Sequence, residues 1–329
     1  MKIQTILASA LALMTAGTIA SAQEKNITLY TPNPEQAIQT VADTLHSKHP
    51  DIRLNSVSGG SGVLLRRIQA ESADPQGDIF WSSSYNTVRG FASYFDAYQS
   101  PELAAIFDNI RYPDHHFAPV NVHVVVMMIN KDQLGTLQAP ATWNDLLDPK
   151  WKGKIIVANP ANSSTGYTIL WGIYKKLGAN GLKKLAENVV ISSSSTAVQS
   201  GISMGEYPVG LAFEANAYPY VAGGQKEIQL VYPQDGTFIT AEYAGLLKNA
   251  PAQNAARQTF DTLLSKDTQT ELLKTAFRRP SRKDIEVSKY TDLPEMSAIP
   301  IFPINEQEAA DQRQEFLKIW QADITSARQ

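Results

Sequence analysis

One pattern recurs along this 329-residue chain: an apolar segment is followed by a polar loop, and the loop by an amphipathic helix. The first part of the pattern predicts strands at residues 27–31, 52–57 and 78–81, with helices at residues 34–45 and 63–71 between them. A β-α-β-α-β order is typical of a mostly parallel sheet that is covered by helices. The pattern therefore predicts an α/β fold.

The same alternation continues through the rest of the chain. Further strands are predicted at residues 122–129, 154–157, 189–191, 208–213, 230–232 and 243–247. Further helices are predicted at residues 142–147, 167–177, 197–204, 253–264, 269–275 and 306–322. A chain of this length exceeds one domain of ordinary size, so we expect two lobes.

The first 22 residues have the composition of a secretory signal peptide. Lys2 supplies the positive charge, residues 3–14 are mostly apolar, and Ala20-Ser21-Ala22 offers a cleavage site before Gln23. The chain contains no cysteine, so we expect neither a lipidated N-terminus nor disulfides. These features predict a periplasmic protein. An N-terminal membrane anchor stays open as an alternative, although the apolar run is short for one.

The net charge and the types of side chain present argue against several classes of function. The formal net charge of −3 argues against a nucleic-acid partner, which needs a basic surface. The five histidines show no metal-ligand spacing, so no metal and no cofactor are expected, and no convincing set of catalytic residues is visible. A secreted hydrolase with Ser61 or Ser164 as nucleophile remains the weaker alternative, because the sequence identifies no base for it.

Loops rich in serine and glycine follow several predicted strands and precede helices, at residues 58–62, 162–166 and 192–196. Residues 82–84 resemble them. In open α/β sheets, ligands bind at the carboxyl ends of strands, where helix N-termini favour anions. The ligand-binding candidates in these loops are Ser61, Gly62, Ser83, Ser164, Thr165 and Gly166. Together they predict a cage of hydroxyl and N–H donors around an anionic group.

Three other residues are candidates for contacting the remainder of the ligand. Asn33 follows the first predicted strand, and Glu214 and Tyr218 follow the strand at residues 208–213. Glu214 is suited to accept hydrogen bonds from an amine or a sugar hydroxyl, and Tyr218 to donate to an anion or pack against the solute.

Several motifs together resemble those of one protein family. They are Ser58-Gly59-Gly60-Ser61-Gly62, Gly77-Asp78-Ile79-Phe80-Trp81, the run Thr142 to Leu147 leading to Trp151-Lys152-Gly153-Lys154-Ile155, and Ser194-Ser195-Thr196-Ala197-Val198 followed by Gly205-Glu206-Tyr207-Pro208-Val209-Gly210. The chain resembles the periplasmic solute-binding proteins of ABC importers, in the subgroup of ferric-ion, phosphonate and sugar-phosphate binders. The resemblance covers essentially the whole mature chain.

The resemblance implies a monomer with two α/β lobes, two hinge crossings and a solute between the lobes. Lobe one would comprise residues 23–122 and 241–329, and lobe two residues 123–240. The crossings would lie near residues 122–129 and 240–247. Such a protein delivers its solute to a permease in the inner membrane and has no catalytic activity of its own.

The subgroup leaves two solute classes open. Ferric binders of this kind hold iron with two adjacent tyrosines, often with a histidine near the first strand and a carboxylate near the third. Here Pro219 separates Tyr218 from Tyr220, and the histidine and carboxylate positions hold neither. A hydroxyl- and amide-rich site favours an organophosphate, a sugar phosphate or a phosphonate over Fe³⁺, which prefers anionic oxygens. A ferric site that uses Tyr218 and Tyr220 remains the alternative.

Overall fold

The computed structural model describes residues 25–82 and 84–327. The predicted signal peptide, residues 1–22, lies outside these ranges, and so does Ser83. Among the described residues, the helices fall short of the length and apolar character that crossing a bilayer requires.

Strands and helices alternate as the apolar periodicity predicts. Within the described ranges, the helices are α1 (Glu35–Lys48), α2 (Ser61–Ala70), α3 (Tyr85–Val88), α4 (Ser164–Asn188), α5 (Ser195–Ser203), α6 (Glu214–Ala222), α7 (Gln253–Leu264), α8 (Lys266–Ala276), α9 (Glu306–Asp311) and α10 (Arg313–Ala327). The strands are β1 (Lys25–Thr31), β2 (Ile52–Ser58), β3 (Ile79–Trp81), β4 (Phe95–Asp96), β5 (Ala118–Asn130), β6 (Ile155–Ala158), β7 (Val189–Ser192), β8 (Val209–Phe213), β9 (Ile228–Val231), β10 (Ile239–Leu247) and β11 (Arg279–Pro280).

The strands form one mixed sheet in the order β2-β1-β3-β10-β5-β8-β6-β7. The two ends of this order are parallel, with β1 between β2 and β3, and β6 between β7 and β8. The centre is antiparallel, because β10 pairs with β3 and β5, and β5 pairs with β8. Each parallel end is a βαβ region, and the central strands connect the two.

Strand β5 belongs to both halves of the sheet. Its first part pairs with β10 and β11, and its second part, from Val125 onward, pairs with β8 and β9. All 13 of its residues are buried, so the strand runs through the interior of the molecule. The predicted crossings at residues 122–129 and 240–247 thus coincide with β5 and β10.

Separate hydrophobic cores flank the two halves. The first core packs α1, α7 and α8 on β1, β3 and β10, and the second packs α4 on β5, β6 and β8. Helix α10 contributes Phe316, Trp320 and Ile324 to the second core. The sequence predicts that residues 241–329 belong to the first lobe, whereas α10 packs against the core of the second half. The division of the chain into lobes otherwise stays a prediction.

Three segments differ in detail from their predicted structure. Residues 142–147, expected as a helix, form only one short 3-10 turn at Asn144–Leu147. Residues 214–220, for which no helix is predicted, form most of α6, in which Pro219 lies inside the helix. The final helix begins at Glu306 as predicted but is interrupted at Gln312, which separates α9 from α10. Proline costs a helix one hydrogen bond, and the buried neighbours Ala215 and Ala217 hold α6 in place despite that loss.

Replacement of Phe316 by alanine tests the packing of α10. Phe316 is 1% exposed and meets Tyr167 and Trp171 edge to face, with ring centroids 5.5 Å away in each case. Removing a buried aromatic ring costs about 3–5 kcal/mol, so Phe316→Ala should lower the free energy of unfolding by about that amount in urea denaturation. Glu315→Ala, at the exposed neighbouring position, is the control. Equal stability of the two variants would contradict this packing.

Candidate functional site

A cleft of about 650 Å³ lies between the two halves of the molecule. Its volume is in the range of small-molecule sites. Its polar lining residues are Asn33, Gln36, Ser58, Ser61, Ser82, Ser84, His123, Asn162, Ser163, Ser164, Thr165, Ser193, Ser194, Ser195, Thr196, Gln199, Asn216, Tyr220, Thr240, Glu242 and Arg278. The first half supplies one wall and the second half the other, and β5 and β10 supply the floor.

Strand alternation brings the floor residues together. His123 on β5 is opposite Thr240 on β10, and both line the cleft. Glu242 is two residues beyond Thr240, so it lies on the same face of the strand. Arg278, which directly precedes β11, completes the floor at 4% exposure.

The floor residues form a small charged network. One guanidinium nitrogen of Arg278, Nη1, lies 3.4 Å from Glu242 Oε2 and 3.4 Å from His123 Nε2. Burial alone would raise the pKa of Glu242, but the charge of Arg278 and the His123 ring, 3.8 Å from the carboxylate, bring that pKa down to about 2. Burial lowers the pKa of His123, and its ring stacks on that of Phe213 with the centroids 4.5 Å apart. Arg278 is thus the floor's cation and Glu242 its anion.

Five helices of at least nine residues begin at the cleft. Helices α1 and α2 begin in the first half, and α4, α5 and α6 in the second. Each N-terminus carries about half a positive charge and N–H groups without intrahelical partners. No side chain caps α1, α2 or α6 among the described residues, so their first N–H groups remain available. The site is therefore suited to an anion.

Serine caps the other two helices. The Ser163 side chain accepts a hydrogen bond from Gly166 N at 3.2 Å, and the Ser194 side chain accepts one from Ala197 N at 3.1 Å. Each of these hydroxyls keeps its own proton to donate. The serines in the loops after β6 and β7 thus accept a hydrogen bond from a free N–H group at the start of α4 and of α5. They also present hydroxyl donors to the cleft.

Four of the predicted ligand residues line the cleft: Asn33, Ser61, Ser164 and Thr165. The hydroxyl of Ser61 lies 3.1 Å from that of Ser82, and the Asn33 amide donates to the Trp81 carbonyl at 3.4 Å. Ser83 lies outside the described residues. That these side chains contact a solute remains a prediction.

The two predicted glycines lie behind the lining residues. A Cβ on Gly166 would be 2.2 Å from the Ala158 carbonyl oxygen, so this glycine allows α4 to begin directly against β6. Gly62 faces the Arg66 side chain, 3.5 Å from where its Cβ would be. The structure thus gives Gly166 a packing role and leaves the cleft wall to its serine and threonine neighbours.

Glu214 is not a lining residue. Its oxygens accept hydrogen bonds from Arg279 Nε at 2.6 Å and Nη2 at 2.8 Å, and the Tyr232 hydroxyl donates to it as well. The Glu214 side chain is 1% exposed. Its carboxylate is therefore occupied by protein, which corrects the expectation that it accepts bonds from a solute.

Helix α6 separates the two tyrosines. Residues two apart on a helix point about 200° apart, so Tyr218 and Tyr220 cannot share a face. Tyr220 lines the cleft, whereas Tyr218 packs perpendicular to Phe277 at 4.8 Å outside it. The sequence had favoured Tyr218 as the ligand residue, and the helix places Tyr220 there instead. The two hydroxyls do not converge on one site.

Sequence reasoning missed most of the floor. Arg278 and Glu242 carry its charges and Thr240 adds a hydroxyl group, whereas Gln199 on α5 and Asn216 on α6 add amides to the wall of the second half. Of the two arginines on α2, Arg66 is exposed and Arg67 Nε pairs with Glu71 at 2.7 Å. Glu242 lies in an otherwise apolar strand, which is a signal that could have identified it, because a charge is rarely buried without a partner.

Comparison with known proteins places the chain among binding proteins. The model of the family described as bacterial extracellular solute-binding protein matches residues 86–303. A Salmonella typhi protein named as a candidate 2-aminoethylphosphonate-binding periplasmic protein is 24% identical over 309 residues, which cover 85% of this chain and 87% of the relative.

Solved structures of periplasmic binding proteins share the fold. AfuA from Actinobacillus pleuropneumoniae, with fructose-6-phosphate bound, has a TM-score of 0.83 at 23% identity and covers 92% of this chain and 99% of its own. Iron-bound HitA from Pseudomonas aeruginosa has a TM-score of 0.80 at 17% identity, over 91% and 99%. The predicted two-lobed α/β architecture is thereby confirmed.

The depressed pKa of Glu242 predicts a pH-dependent stability. Ionised Glu242 stabilises the fold above its unfolded-state pKa of about 4.5, and this contribution is lost as the pH falls towards 2. The shift corresponds to about 3 kcal/mol. Glu242→Gln should therefore be less stable than wild type at pH 7, and the difference should shrink at low pH in urea denaturation. Glu315→Gln, on the surface, is the control, and a pH-independent difference would contradict this prediction.

Proposed function

Because the chain belongs to the bacterial extracellular solute-binding proteins, we propose that it captures a small phosphorylated or phosphonate solute for an ABC importer. It acts in the periplasm as a binding protein, and a membrane permease receives the solute from it. The solute lies in the cleft between the two lobes. Closure of the lobes around it is the signal that the permease reads.

The observation that carries this proposal is the convergence of positive potential on one cleft. Five helix N-termini surround a floor that holds Arg278, and the intervening wall is lined by hydroxyl groups. Phosphate and phosphonate groups offer three acceptor oxygens, which match such a set of donors. The positive charge is carried mainly by backbone dipoles, so a net charge of −3 for the whole chain is compatible with anion binding.

The organic part of the solute would contact the floor and the part of the wall that α6 supplies. Ionised Glu242 and the amide of Asn216 are suited to hydroxyl or amine groups, and Tyr220 offers an aromatic face. The names of the relatives fit this reading, since one is described as an aminophosphonate binder and another holds a sugar phosphate. Either solute combines a phosphorus-centred anion with a small polar remainder.

The ferric alternative is less favoured by the geometry. It requires two tyrosines at one metal, and α6 directs Tyr218 and Tyr220 to different faces. Within the described residues, no three His, Asp or Glu side chains cluster closely enough to hold a metal ion. The hydrolase alternative gains no support either, because the Ser61 hydroxyl pairs with the Ser82 hydroxyl at 3.1 Å rather than with a base.

A panel of solutes tests the class. We expect 2-aminoethylphosphonate or a sugar phosphate to raise the melting temperature of the ligand-free mature protein by several degrees, because a solute at about 100 times its Kd adds about 2.7 kcal/mol. Inorganic phosphate, polyols and ferric citrate complete the panel. A shift with ferric citrate alone, together with a coloured complex, would overturn the proposal.

Substitution of Arg278 tests the anion site. Losing a charged hydrogen bond costs about 1.5–3 kcal/mol, so Arg278→Met should weaken binding of the phosphorylated solute by about 10- to 150-fold in titration calorimetry. Arg66→Met is the matched control, because it removes the same charge from the exposed side of α2. Equal losses of affinity in both variants would mean that Arg278 acts only through long-range electrostatics and does not contact the solute.

A further inference from the structure

We infer that the buried pair Glu214–Arg279 positions the cleft arginine, and that solute affinity depends on it although neither residue lines the cleft. The inference rests on the proposed function, in which Arg278 binds the solute's anionic group. The sequence predicts that Glu214 contacts the solute. In this inference Glu214 instead contacts Arg279, and thereby holds the neighbouring Arg278 that contacts the solute.

Arg278 and Arg279 project to opposite sides of the hinge strands. Arg279 begins β11, where it pairs with Val122 of β5, and Arg278 precedes it on the face shared with His123. Neighbouring residues of an extended chain alternate between faces, so fixing one of them fixes the other. Arg278 faces the cleft at 4% exposure, and Arg279 faces away from it at 1% exposure.

The partner of Arg279 comes from the other half of the molecule. Glu214 is the first residue of α6, which follows β8 in the second half, whereas β11 follows α8 of the first core. The two side chains form a bidentate pair with distances of 2.6 and 2.8 Å. The Tyr232 hydroxyl donates to the same carboxylate. This pair therefore links the two halves of the molecule directly behind the cleft floor.

A second contact holds Phe277, the residue that precedes Arg278. Phe277 ends α8 in the left-handed region at φ 53°, which is uncommon for a bulky residue and sharply redirects the chain. Its ring packs perpendicular to Tyr218 of α6 at 4.8 Å. Arg278 thus lies between two residues, Phe277 and Arg279, that are both held by α6.

The same helix contributes to the cleft at its N-terminus. Ala215 and Asn216, next to Glu214, line the cleft. The Glu214–Arg279 pair therefore fixes the spacing between the α6 N-terminus and the Arg278 guanidinium, two anion-binding elements from different halves. A planar guanidinium held at two nitrogens has little rotational freedom, so the pair determines this spacing closely.

A double-mutant cycle tests the positioning role. We expect Glu214→Gln to weaken binding of the phosphorylated solute by about tenfold, since a charged, bidentate contact is lost. In an Arg278→Met background, the same change should alter affinity less than about twofold, because the residue that it positions is already absent. Affinities are measured by titration calorimetry, with circular dichroism to verify folding. Arg279→Lys, which keeps one charged hydrogen bond, gives a milder variant if Glu214→Gln folds poorly.

Arg282 provides a matched control within the same segment. It is also buried and forms ion pairs, with Asp284 at 2.9 Å and with Glu102, but neither partner lies on α6. Arg282→Met should lower the melting temperature and leave solute affinity within about twofold of wild type. An equal loss of affinity in this control, or wild-type affinity in Glu214→Gln, would overturn the inference.

The cycle also distinguishes this inference from the proposed function. If the panel identified iron or another solute, the organophosphate proposal would fail, and the same cycle would be measured with that solute. If Glu214→Gln then lowered solute affinity equally in the presence and absence of Arg278, the positioning role would be refuted whatever the solute is. A loss that requires Arg278 would support it.

Discussion

The whole arrangement depends on β5, a buried strand that is shared by two halves of one sheet. Because it pairs with β10 and β11 over its first part and with β8 and β9 over its second, both lobes are built on the same backbone. Side chains on one face of these strands form the cleft floor, and those on the other face are covered by protein. A residue's position in the two-residue repeat therefore decides whether it can meet a solute.

The proposed anion binding has to be reconciled with the negative net charge of the chain, and the composition of the cleft does so. Its positive potential comes from helix N-termini and a single arginine, and the arginine is partly balanced by Glu242 at 3.4 Å. Replacing such a buried pair with apolar side chains would change stability little, whereas removing one partner alone is destabilising, and the intact pair holds a charge in a fixed place. Fixed donors bind an oxyanion without first being reorganised, which favours selective capture of a dilute solute.

Adjacent residues in this protein have different roles because of local geometry. Tyr218 and Tyr220 lie on different faces of α6, so one packs against Phe277 and the other lines the cleft. Arg278 and Arg279 diverge in the same way across the hinge strands, one towards the cleft and one towards Glu214. In each case the chemistry of the side chain is the same, and the backbone direction assigns its role.

The sequence by itself determined the α/β alternation, the two crossing strands and the polar loops that begin helices, because these follow from local periodicity and capping. It also identified Asn33, Ser61, Ser164 and Thr165, which line the cleft because they lie between the end of one strand and the first turn of the next helix. Only the tertiary structure decided the rest. Arg278 and Glu242 meet His123 across more than a hundred residues, the partner of Glu214 is 65 residues away, and α10 joins the second core. Such pairings depend on which strand faces approach each other, and no local pattern specifies that.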